Sequence, residues 1–177
     1  MTIFRSALAG FLATFPMTAA MKFMHRQLPW YQRYPLPPRQ ITMRAARRAG
    51  VYGHLDEPQK RAATLVGHFA YGAVAAAPYA AVTDRINLPT VAKGAAYGLF
   101  VWSASYLELM PRLGMMAPAS LCPRKRNALM IAAHLVWGVS LALVADSLKS
   151  REPREVNPSH SLKTRHGPER QQQPLAT

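Results

Sequence analysis

The chain has 177 residues, half of them hydrophobic, with 22 Lys and Arg against 8 Asp and Glu and a formal net charge of +14. Its mean hydropathy of −0.06 is that of an ordinary soluble protein, but the average merges strongly polar segments, residues 26–61 and the tail after Lys149, with long apolar stretches between them. A lone cysteine, Cys122, excludes an internal disulfide and a cysteine-based zinc site.

Four stretches, residues 6–24, 62–82, 91–110 and 127–145, approach the ~20 predominantly apolar residues of a membrane-spanning helix. The fold class expected is therefore all-α: an integral membrane bundle of four transmembrane helices over residues 1–150. A soluble helical bundle is the competing fold, but its helices would need charged faces. The stretch 62–82 offers only His68 and the phenols of Tyr71 and Tyr79. In the first stretch, Arg5, an apolar core and Thr18-Ala19-Ala20 also resemble a cleavable signal peptide. Cleavage would leave the basic segment Lys22–Arg61 outside the cell, against the charge rule, so a retained helix is expected.

The basic loop 25–61 follows. Tyr34-Pro35-Leu36-Pro37-Pro38 reads as extended, because each proline restricts the residue before it. Gln40–Ala49 then reads as a short amphipathic interfacial helix stopped by Gly50. Ile41, Ala45 and Ala49 share one face, while Arg44, Arg47 and Arg48 gather on another, where they would contact lipid headgroups. A solvated basic helix is the alternative. Residues 151–177, rich in Pro, Gln, Ser and charge, read as a disordered basic tail.

Four spans put both termini on one side and the loops 25–61 and 111–126 on the other. Those loops carry the denser Lys and Arg, so the positive-inside rule makes them cytoplasmic and the termini external. Basic residues confined to connections and tail suit the bilayer and anionic headgroups as partners, and not nucleic acid.

Within the spans, Gly94 and Gly98 form a GxxxG helix-packing pair that could serve a neighbouring helix or, in a homo-oligomer, a second copy. Gly10, Thr14 and Thr18 repeat at the same spacing, and Pro16 and Pro78 remove backbone hydrogen bonds and should bend their helices. Helix direction is the sharper clue. His68 and His134 each lie six or seven residues in from the loop side, roughly 9–11 Å deep at ~1.5 Å per residue. Lys22 and Glu108 lie near the ends of the other two spans, in the same half. Advancing 100° per residue, Glu108 falls on the Gly94 face with Ser105 and Tyr97. Lys22, His68, Glu108 and His134 thus form a candidate intramembrane polar cluster. It would act as a structural cross-link, as a proton or small-solute path, or as a cofactor site with His68 and His134 as haem or metal ligands. No catalytic constellation or HExxH-type metal repeat is present, so no catalytic residue, no metal and no resident cofactor are expected, with haem as the alternative.

At Pro37-Pro38-Arg39, Gly67-His68 and His134-Leu135-Val136-Trp137 the chain resembles the YagU-like bacterial inner-membrane proteins, in patches across roughly residues 7–150. The Phe15-Pro16-Met17-Thr18 first helix and the entry Arg126-Asn127-Ala128-Leu129-Met130 are similar to small bacterial membrane proteins of unknown function. The resemblance implies a multi-pass protein of the cytoplasmic membrane with no assigned reaction. YagU-like members carry positive charge before the first helix, implying inward termini, whereas only Arg5 stands there in this chain. The function expected is non-enzymatic: envelope maintenance, assembly, or modest proton or solute transport. The competing class is a membrane redox protein using His68 and His134.

Overall fold

The computed structural model describes residues 2–150, and the expected tail 151–177 lies outside them. Among the described residues every regular element is helical. Helix α1 (Ile3–Arg26) is capped by Thr2, whose hydroxyl accepts from the Arg5 amide, and it runs unbroken through Pro16. Helix α2 (Pro37–Arg48) lies in the first loop. Helix α3 (Glu57–Ala76) opens with a capping box between Asp56 and Gln59 and passes through Ala77-Pro78 into α4 (Tyr79–Thr83). Helix α5 (Thr90–Ser103) widens into a π turn (Ala104–Leu109) and ends in α6 (Met110–Arg112). Helix α7 (Arg124–Ser150) closes the bundle.

Among the described residues three helices are long and apolar enough to cross a membrane: Ile3–Arg26, the α3–α4 rod Glu57–Thr83, and Arg124–Ser150. The expected fourth span, 91–110, is not a single α-helix. Its regular part covers 14 residues, or ~21 Å at 1.5 Å per residue, short of the ~30 Å hydrocarbon core. The π turn ends the regular hydrogen-bonding pattern there. The composite rod nevertheless runs antiparallel to α7. Thr90 Oγ1 donates to Asp146 at 2.5 Å near one end, while the rings of Tyr106 and His134 meet edge-to-face at 5.5 Å toward the other.

Close approach of backbones sets the packing. Gly94 and Gly98 of α5 lie against Gly138 of α7; a Cβ added to Gly138 would fall on the Gly94 carbonyl oxygen and press the Gly98 backbone. The Gly94/Gly98 face is thus covered within the chain. On the other side of α7, α1 packs against both α7 and α3, with Trp137 Nε1 donating to the Gly10 carbonyl at 3.2 Å. Tyr97 closes the ring of four rods by donating to the Ala75 carbonyl of α3 at 2.7 Å. Large apolar side chains face outward instead of into water-excluded contacts: Phe4 is 87% exposed, Val66 69% and Val74 70%. An apolar outer surface of this kind matches hydrocarbon surroundings.

Helix α2 begins at Pro37, three residues before the expected start at Gln40. Proline is compatible with a first turn, whose amides have no intrahelical partner anyway, and Leu36 stays extended ahead of it. Its end is a Schellman motif. Gly50, at φ +74°, donates to Arg47 at 3.1 Å, and Val51 donates to Ala46 at 3.0 Å.

Candidate functional site

The four rods enclose a partly open cavity of about 310 Å³ in the loop-side half of the bundle. Thr14 and Met17 of α1, His68 and Tyr71 of α3, Ser105 and Tyr106 of the π turn, and Met130, His134 and Trp137 of α7 contribute to its walls. Helix α2 forms a further wall with Pro38, Ile41, Thr42 and Ala45. The apolar face of α2 thus turns Ile41 and Ala45 onto the cavity.

His68 and His134 line this one space, but their imidazoles differ. The Met130 carbonyl can only accept, so His134 Nδ1 donates to it at 2.8 Å, and the neutral ring keeps Nε2 as an acceptor. His68 Nε2 is buried without a hydrogen-bond partner. Across the cavity, Tyr71 and Ser105 share a hydrogen bond of 2.5 Å, and the Thr14 hydroxyl donates to the Gly10 carbonyl at 2.8 Å. Among the described residues, the lining contains no Asp, Glu, Lys or Arg. A charged ligand would therefore lie in apolar surroundings without a counter-ion, at a cost of several kcal/mol (about 2–7 even for an unpaired neutral polar group). The site suits an uncharged molecule with an apolar body and one or two hydrogen-bonding groups.

Lys22 and Glu108 do not join the histidines. Lys22 is exposed, and Glu108, also exposed, pairs with Arg112 at 2.7 Å one turn on. The expected place of Glu108 in the cluster rested on a constant 100° per residue. The wider π turn, with its i→i+5 bonding, advances less per residue and turns Glu108 outward while Ser105 and Tyr106 stay buried.

The loop-side arginines are engaged with neighbouring structure. Arg44 Nη1 donates to the Gly114 carbonyl at 2.9 Å and Arg48 Nη1 to the Leu113 carbonyl at 2.6 Å. Arg47 lies over the Tyr52 ring, 4.4 Å from its centroid. Arg126, read in the sequence as loop charge and as the start of the entry motif to the last span, is 5% exposed. Its guanidinium donates to the carbonyls of Gln32, Tyr34 and Pro35 at 2.7, 3.0 and 3.1 Å. It also stacks 3.5 Å from the centroid of Tyr34. Beside it, Asn127 donates to the Ala119 carbonyl at 2.6 Å. Together Arg126 and Asn127 tie the start of α7 to both loops, and thereby hold the segment that leads into α2 over the cavity. Among the described residues no cluster of three or more His, Cys, Asp or Glu could hold a metal ion.

These features define an all-helical bundle with membrane-compatible helices around an uncharged, histidine-bearing cavity. Residues 32–143 match the family described as a protein of unknown function, DUF1440. The chain belongs to that family. The matched region includes α2, both histidines, the π turn and Arg126. No curated protein and no solved structure matches the chain.

Proposed function

We propose that this protein is a multi-pass component of the bacterial cytoplasmic membrane that binds a neutral amphiphile in the His68/His134 cavity. The observation that carries this reading is the lining itself: apolar walls, no ion, and two imidazoles. His134 Nε2 is left to accept a hydrogen bond from a ligand hydroxyl. Holding or passing such a molecule is a non-enzymatic role in envelope maintenance or modest transport. The YagU-like resemblance supports the cytoplasmic-membrane assignment, and the exposed apolar faces support a membrane setting. Arg44, Arg47 and Arg48 would meet anionic headgroups at the loop side.

For orientation we retain the charge rule: loops 25–61 and 111–126 cytoplasmic, termini outside. A periplasm-active reporter fused after Lys149 should be active, and one that fluoresces only in the cytoplasm should stay dark. The reverse pattern would overturn the orientation.

A second reading is favoured by one observation. A histidine whose Nδ1 donates to a backbone carbonyl is held in the tautomer that ligates metals through Nε2. With His68 on the same cavity, a bis-imidazole haem is the corresponding alternative. The absorption spectrum of the purified protein separates the two. The amphiphile reading requires a colourless protein; a Soret band lost in His68→Ala and His134→Ala would replace it with the haem reading.

A further inference from the structure

On the face of α2 turned away from the cavity lies a second, basic crevice of about 560 Å³. Arg39, Gln40, Arg44 and Arg47 line one wall, with Tyr52 and Met115 among the residues opposite. Gln40, Arg44 and Arg47 are spaced i, i+4, i+7, which stacks them along one helix face.

The charge here is unbalanced. Glu57 is bonded to Arg39 at 2.7 Å and lies 3.8 Å from Lys60. Lys60 in turn sits 4.5 Å from the centroid of the same Tyr52 ring that Arg47 covers from 4.4 Å. Arg44 and Arg48 spend donors on the carbonyls of Gly114 and Leu113. Three guanidiniums, those of Arg39, Arg44 and Arg47, therefore line the crevice, and among the described residues its lining includes no carboxylate. Each guanidinium has five N–H donors, and the bonds above occupy a minority of them. Like charges held this close repel unless an anion lies between them. Planar guanidiniums with spare forks match the oxygens of a phosphate group.

We propose that this crevice binds a phosphate group, supplied in the cell by the headgroup of an anionic phospholipid. The lipid source rests on the membrane reading above, since it places α2 at headgroup depth; the phosphate chemistry does not. The test uses the full-length protein in a neutral maltoside detergent. Its melting temperature is followed against short-chain phosphatidylglycerol, short-chain phosphatidylcholine and inorganic phosphate, each compared with sodium chloride at equal ionic strength.

Phosphatidylglycerol should raise the melting temperature by several degrees, and phosphatidylcholine should leave it unchanged. Arg47→Gln, at an exposed position that folding tolerates, should weaken the phosphatidylglycerol effect about tenfold in concentration, and Arg44→Gln combined with it should abolish the effect. Protection by inorganic phosphate as well establishes the phosphate site even if the membrane reading fails. Protection by phosphatidylglycerol alone assigns the site to the lipid. Equal responses to phosphatidylglycerol and phosphatidylcholine, or an undiminished response in Arg47→Gln, would overturn the proposal.

Discussion

Gly138→Ala is expected to destabilise the bundle by about 2–3 kcal/mol, the upper part of the range of about 1–3 kcal/mol for overpacking a tight interior. The added methyl has nowhere to go. It would fall on the Gly94 carbonyl oxygen and lie 2.8 Å from both the Cα and the N of Gly98. These are backbone atoms of a helix and cannot swing aside as a flexible side chain can. Relief requires α5 and α7 to separate, which loosens the contacts along the whole antiparallel pair. In detergent the melting temperature should fall by roughly 5–10 °C. Gly53→Ala provides the control, because no atom lies within 4 Å of the position its Cβ would take. Equal melting of Gly138→Ala and Gly53→Ala would show that α5 and α7 do not touch as described.

Arg126→Met is expected to cost about 3–5 kcal/mol. Methionine keeps most of the volume but removes every donor. The carbonyls of Gln32, Tyr34 and Pro35 lose their partner, and hydrogen bonds to a charged group contribute about 1.5–3 kcal/mol each, less than additively. The stacking on Tyr34 is lost with them. Arg126→Lys should recover only part of the loss, since an ammonium is a compact point charge and cannot span three carbonyls as a planar fork does. Hydrogen exchange should rise first in residues 29–48, which hold α2 over the cavity, while α1 and α7 remain protected. Uniform loss of protection, or none, would contradict the role of Arg126 as the tie between α7 and the first loop.

Much of the architecture is legible in residue order because membrane helices announce themselves by apolar length. The alternating direction of successive rods is equally readable. Depth along those rods is what puts His68 and His134 on one cavity. Four features were hidden, each for a physical reason. The π turn at Ala104–Leu109 has no composition of its own, so a constant 100° advance carried Glu108 onto the packing face when its side chain points outward to Arg112. Arg126 has the same sequence signature as the loop-side arginines around it. Only the folded first loop, with three carbonyls and an aromatic ring converging, distinguishes a buried tie from a topological charge. Helix α2 was visible as amphipathic, but amphipathicity says that a face is apolar, not what covers it. Pro38, Ile41 and Ala45 meet the cavity. Tyr71 and Ser105 likewise become a site only as a pair, 34 residues apart in the chain.

The central claim is that the His68/His134 cavity carries an uncharged amphiphile. Native mass spectrometry of the protein taken from its own membranes tests it most directly, with Ala45→Phe as the comparison. Ala45 is exposed on α2 and lines the cavity, so the larger ring can fill the space without entering the helix contacts. The wild-type protein should carry a neutral, extractable lipid-like adduct at about one per chain, and Ala45→Phe should lose it while melting at the same temperature. A wild-type protein with no adduct, or an adduct retained in full by Ala45→Phe, would contradict it.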